Sequence, residues 1–193
     1  MYWEKLGRIF DPIRLKDYEL SAALMPIVQI LDEESGLIRV FFSPRDQYGK
    51  SQVRFFETKL TDPTQILRVS HEPILLPGKL GAFDDCGITL GSIVESPLGK
   101  FLFYTGWSRT ATVPSCNSIG IAQMKDDGSY ERMFDGPVMT RTPHEPYSCA
   151  SPFVMYENNR FRMWYASIDR WDSQEAATAK HFYNIKYAES IDG

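Results

Sequence analysis

Acidic side chains recur at matched places in this sequence. Asp85 lies 7 residues before Ser92, Glu145 lies 7 before Pro152, and Glu19 lies 7 before Pro26. Each precedes a short run with strand character. If those runs begin at one cavity, up to three carboxylates converge there, with Asp17 two residues before Glu19 as a further acid. Convergent carboxylates are what cleavage of a glycosidic bond needs. One protonated acid donates to the leaving oxygen, a second carboxylate activates water or attacks the anomeric carbon, and their separation decides between inversion and retention. Crowding splits their pKa values, so one stays protonated near neutrality. An acid at such a place serves equally to cap a turn or to pair with an arginine.

Candidate substrate contacts surround these acids. Asp84 adjoins Asp85. Trp107 and Trp171 end the second strands of two units, in Thr105-Gly106-Trp107 and Ser167-Ile168-Asp169-Arg170-Trp171, and Arg45 holds the matching place in Ser43-Pro44-Arg45-Asp46. An indole stacks on the apolar face of a sugar ring, and a guanidinium forks onto carboxylate or hydroxyl groups. The two indoles also suit packing between sheets. Arg141, four residues before Glu145, either pairs with that acid or binds an anionic sugar. His71, His144 and His181 are too scattered for a metal site. No Gly-rich phosphate loop, Gly-x-Ser-x-Gly or His-Glu-x-x-His is present, so neither a metal nor a cofactor is expected.

The elements that must position these residues form a repeat. Ser51 to Asn117 and Asn117 to Tyr183 are both 66 residues, and each marks the start of a third strand. A fixed period of this size means stacked supersecondary units. Each unit reads as strand, turn, strand, loop, strand, the layout of a β-propeller blade. Phe101-Leu102-Phe103-Tyr104 and Phe161-Arg162-Met163-Trp164-Tyr165 are second strands. Their hairpin turns are Leu98-Gly99-Lys100 and Glu157-Asn158-Asn159-Arg160, with Glu33-Glu34-Ser35-Gly36 in the first unit. A fourth strand follows Asp126-Asp127-Gly128. Ser173 to Lys180 is the one helix-like run. The expected fold is all-β, a partial propeller of about three blades in one domain over 1–193, with repeats near 17–79, 80–142 and 143–193. A closed propeller has about 4–8 four-stranded blades. The expectation is therefore a fragment, whose open blade edge invites self-association.

The net charge of -4, from 21 basic and 25 acidic residues, carries no basic footprint for nucleic acid. Three cysteines, Cys86, Cys116 and Cys149, form no Cys-x-x-Cys and fit a reducing compartment. No run has the length of a signal peptide or a membrane span, so a cytoplasmic protein without a membrane partner is expected.

Several segments together resemble a known group. These are Gly81-Ala82-Phe83-Asp84-Asp85-Cys86-Gly87, Phe103-Tyr104-Thr105-Gly106-Trp107, Asn117-Ser118-Ile119-Gly120-Ile121-Ala122, Glu145-Pro146, Ser151-Pro152 and Ile185-Lys186-Tyr187-Ala188. The chain resembles the five-bladed β-propeller glycosidase superfamily, in the general style of glycoside hydrolase families 32, 43 and 130. It is most similar to glycosidase-like proteins found with surface-polysaccharide biosynthesis genes. The resemblance implies a funnel-shaped central site, a carbohydrate substrate and no cofactor. It assigns Asp85 as the auxiliary acid that positions or modulates, and Glu145 as the proton donor. It leaves Glu19 or Asp17 for the base or nucleophile, because Ser21-Ala22-Ala23-Leu24-Met25-Pro26 carries no carboxylate where the first blade should supply one. Three readings stay open: a glycoside hydrolase, a non-hydrolytic glycan-binding or polysaccharide-assembly protein, and an inactive remnant.

Overall fold

The computed structural model describes residues 2–14, 20–172, 175 and 178–193, with backbone alone at Arg14. It is all-β apart from one short 3-10 turn, Pro12–Arg14. The first sheet is β1 (Ser21–Asp32), β2 (Leu37–Arg45), β3 (Arg54–Lys59) and β4 (Arg68–Val69). The second is β5 (Gly87–Ser96), β6 (Gly99–Ser108), β7 (Cys116–Met124) and β8 (Tyr130–Arg132). The third is β9 (Cys149–Glu157), β10 (Arg160–Trp171) and β11 (His181–Ser190). Every sheet is an antiparallel meander in chain order. This is the layout of a partial propeller.

Strand composition explains the stacking. A run such as Phe101-Leu102-Phe103-Tyr104 is apolar at every position, the signature of a sheet buried on both faces. Its odd residues face the third sheet: Phe101, Phe103, Ile119 and Ile121 pack with Val154, Phe161 and Met163. Its even residues face the first sheet: Leu102 and Tyr104 pack with Phe41, Val53, Phe55 and Leu90. The remaining face of the first sheet, Ile38, Val40, Phe42 and Phe56, is covered by Ile9 and Phe10 of the leading segment. Phe10 lies 4.5 Å from the Phe56 ring in a stacked arrangement. The remaining face of the third sheet is bare. There Phe153, Met155, Trp164, Ile185 and Tyr187 are exposed. An aromatic ladder crosses it, with Trp164 6.1 Å from Phe153 and 5.1 Å from Tyr187.

Turn chemistry follows the sequence in two of three hairpins. Asn158 and Asn159 both take positive φ, 54° and 59°, which suits the twist of flanking strands. Glu33 to Gly36 form the first turn. The expected turn at Leu98-Gly99-Lys100 instead centres on Pro97-Leu98, and Gly99 pairs with Ser96 as the first residue of β6. The fourth strand after Gly128 forms as expected. After it the chain folds back onto the third strand in both complete sheets, Val53 with Leu75 and Ile119 with Met139. Half of the helix-like run Ser173 to Lys180 lies outside the described residues. Among the described residues no helix is long and apolar enough to cross a membrane.

The stacked and bare faces differ in energy. Phe103→Ala, at a fully buried position between two sheets, is expected to cost about 3–5 kcal/mol. Phe153→Ala, on the bare face, is expected to cost under about 1 kcal/mol. Urea unfolding of the two variants measures the contrast.

Candidate functional site

The three inner strands β1, β5 and β9 adjoin one another, β1 beside β5 and β5 beside β9. Each carries a bulge where it passes the centre. Met25-Pro26 breaks the β1 register, Gly91 that of β5, and Ser151-Pro152 that of β9. Met25 and Ser151 are held in the left-handed region, φ 50° and 53°. Non-glycine residues hold such angles only when their surroundings over-determine them. Bulges re-aim side chains and interrupt the ladder, so nearby backbone groups need partners from elsewhere.

Those partners are buried hydroxyls from the neighbouring sheet. Leu90 N–H donates to Ser43 Oγ (3.3 Å), and Ser151 N–H donates to Thr105 Oγ1 (2.8 Å). Ser92 Oγ donates to the Pro152 carbonyl (3.0 Å) and accepts from Val154 N–H (2.8 Å). Ile88 N–H donates to the Ser51 carbonyl at 2.9 Å. Two glycines permit the approach. A Cβ on Gly91 would lie 2.4 Å from the Pro152 carbonyl oxygen. Gly87, at φ 150°, leaves no room for one beside Ser51 and Trp107.

Between the inner strands lies a cavity of about 410 Å³. Met25, Arg45 and Ser51 line it from the first sheet, Thr89, Thr105, Trp107 and Asn117 from the second, and Ala150 and Ser151 from the third; Pro114 and Ser115 form a loop wall. Trp107 is fixed there by its indole N–H, which donates to Ser51 Oγ at 3.0 Å. Arg45 is the one charged side chain among the described lining residues.

The structure therefore brings Arg45 and Trp107 together at the centre and places the other described candidates elsewhere. Asp84 is 1% exposed. Its Oδ2 accepts from Arg132 Nε (2.9 Å) and Nη2 (2.6 Å) and from the Tyr104 hydroxyl (3.3 Å). Burial pushes the Tyr104 phenol well above its ordinary range, with Arg132 opposing and Asp84 adding to the shift, so it stays protonated. Asp85 stands in the loop before β5. Its Oδ2 accepts from Gly81 N–H at 3.0 Å, and its Oδ1 is buried with no hydrogen-bond partner. Trp171 meets His181 edge-on at 5.4 Å at the end of the third sheet. Arg141 Nη2 contacts Cys116 Sγ at 3.0 Å. Glu19 and Asp17 lie outside the described residues.

Glu145 lines a separate cavity of about 100 Å³ with His144, Tyr147, Ser167, Asp169 and Lys186. Its Oε1 accepts from Ser167 Oγ (2.7 Å) and Lys186 Nζ (3.0 Å), and its Oε2 from the Tyr165 hydroxyl (3.1 Å). Burial alone would raise the carboxyl's pKa, but these hydrogen bonds and the Lys186 charge outweigh it and hold the group below its ordinary value. In return burial, then the bond to Glu145, pushes Tyr165 up to about 12. Lys186 was invisible as a partner in the sequence, 41 residues away on β11. The cavity-lining Ser51 and Asn117 carried a signal, since they mark the repeat period.

The chain is 37% identical to two uncharacterized proteins of Mycobacterium tuberculosis across all of its own length and 63% of theirs. No family model matches it. Among solved structures it is similar to a thermostable family-43 glycoside hydrolase, with a TM-score of 0.66 and 17% identity over 98% of this chain and 57% of that one. It is also similar to an N-acetylgalactosamine deacetylase from F. plautii in complex with blood group B trisaccharide, with a TM-score of 0.54 and 13% identity over 90% and 50% of the two chains. These likenesses show a propeller glycosidase-like fold.

Two electrostatic predictions follow. Arg132→Ala strands a buried carboxylate and is expected to cost about 3–5 kcal/mol in chemical denaturation. Glu145 has a lowered folded pKa, so its contribution is present above the unfolded carboxylate value and lost as pH falls through the folded one. Glu145→Gln is expected to lower the melting midpoint near neutrality, and its gap to the parent should close in acid.

Proposed function

We propose that this chain is a glycan-binding protein on a propeller glycosidase-like fold, with the sugar seated in the central cavity. One observation carries the reading: among the described residues that cavity is lined by hydroxyls, an amide, an indole and a guanidinium, with no carboxylate. Such a set grips a sugar, and among the described residues it holds neither the acid nor the base that cleavage requires. Trp107 offers a flat apolar surface whose N–H is already satisfied, a suitable platform for a pyranose or furanose ring. A deacetylase complexed with a trisaccharide among the structural neighbours fits a fold that handles glycans by more than one chemistry.

The hydrolase reading stays in play through Asp85, whose buried Oδ1 lacks a partner, and through the family-43 neighbour. In that reading Glu145 is the acid, Asp85 the positioning carboxylate and Glu19 the base or nucleophile. Its difficulty is Glu145. A carboxylate bonded to lysine, serine and tyrosine, with a lowered pKa, is ionised near neutrality and has no proton to give.

Glycan-array binding and an aryl-glycoside assay decide between the two. The binding reading expects Trp107→Ala to weaken glycan affinity about tenfold or more, with no hydrolysis by the parent chain. Turnover that Glu145→Gln abolishes would establish the hydrolase instead.

A further inference from the structure

Resting on that glycan-binding reading, we infer that the sugar taken by the central cavity carries a negative charge, a phosphate or a carboxylate, received by Arg45. The first ground is charge. The chain has more acidic than basic residues, yet the charged side chain among the described cavity residues is a cation. Among the described residues Arg109 shows no ion pair but lines no part of this cavity, while other arginines are paired. Arg8 pairs with Asp11, Arg39 with Glu57, Arg132 with Asp84, Arg162 with Glu157 and Arg170 with Asp169. Arg45 is exposed at the end of β2, and its side chain makes no ion pair or hydrogen bond with any described residue. Its fork of N–H donors matches the paired oxygens of a carboxylate or phosphate.

The second ground is the direction of the hydrogen bonds. Ser51 Oγ already accepts from the Trp107 indole, and Thr105 Oγ1 already accepts from Ser151 N–H. Both side chains are buried. Each hydroxyl has one proton and spare acceptor capacity. With N–H groups taking the acceptor side, the O–H protons are left to donate. Asn117 adds a side-chain amide, with an NH₂ donor and a carbonyl acceptor, on the same wall. The cavity is thus rich in donors. A neutral sugar hydroxyl both gives and takes a proton and finds its usual carboxylate acceptor missing. An oxyanion only accepts, and the O–H and N–H donors here can all be turned toward it.

Calorimetric titration of the intact chain tests this with four probes. They are a glucuronic-acid oligosaccharide, the same oligosaccharide with its carboxyl reduced to an alcohol, a hexose monophosphate and the parent hexose. The expected result is at least tenfold tighter binding of one acidic probe than of its neutral counterpart, weakening with added salt. Arg45→Gln should erase that preference and leave the melting midpoint unchanged. Preference for the uronate or for the phosphate identifies the source of the charge. Equal binding of acidic and neutral probes, or a preference that survives Arg45→Gln, overturns the inference and leaves the glycan reading intact. Failure of all four to bind counts against both.

Discussion

The structure depends on how three bulged strands are held side by side. A bulge interrupts the ladder, and a buried backbone group without a partner costs about as much as a lost hydrogen bond. Here the missing partners come from the next sheet, as the hydroxyls of Ser43, Ser92 and Thr105. They are small enough to let the inner strands almost touch, as Gly91 does against Pro152. The apolar faces supply the bulk of the stacking energy but are tolerant of sliding. The hydroxyl bonds fix the registry between sheets, and with it the walls of the central cavity.

Charge is distributed to match. The described acids nearest the strand starts are engaged away from the centre: Asp84 by Arg132, Asp85 by the Gly81 amide and Glu145 by Lys186. Their electrostatic effect is spent on joining loops and strands that lie far apart in sequence. Among the described residues the centre is left to neutral polar groups and one guanidinium. The frame is maintained mainly by apolar faces and backbone bonds, and of the cavity's side chains Ser51 and Thr105 also tie neighbouring sheets together.

Much of the frame was legible in the sequence. The 66-residue spacing, the doubly apolar second strands and the Asn-Asn turn each have a local physical cause, and each predicts its element well. The first two strand runs of every unit form where expected. The acids were harder. Equal spacing before a strand aligns chain positions, but it does not say which way a side chain turns. Asp84 and Asp85 are neighbours, yet one is sealed beneath the second sheet while the other caps a loop. Their partners are set by tertiary folding: Arg132 is 48 residues from Asp84, and Lys186 is 41 from Glu145. Trp107 and Trp171 hold similar places in their strands, but only Trp107 has a serine from a preceding sheet to draw it to the centre. Nothing in the local sequence encodes that difference.

The direction of the inter-sheet hydroxyl bonds bears on how the chain assembles as it is made. In three of them the acceptor lies in the earlier sheet and the amide donor in the later one: Ser43 awaits Leu90, Thr105 awaits Ser151 and Ser92 awaits Val154. An emerging sheet therefore presents its hydroxyl before the strand that will use it exists. Synthesis from the N-terminus then zips the structure in order, each new inner strand docking on a surface already prepared for it. Stacked units that contact only their neighbours favour such stepwise growth.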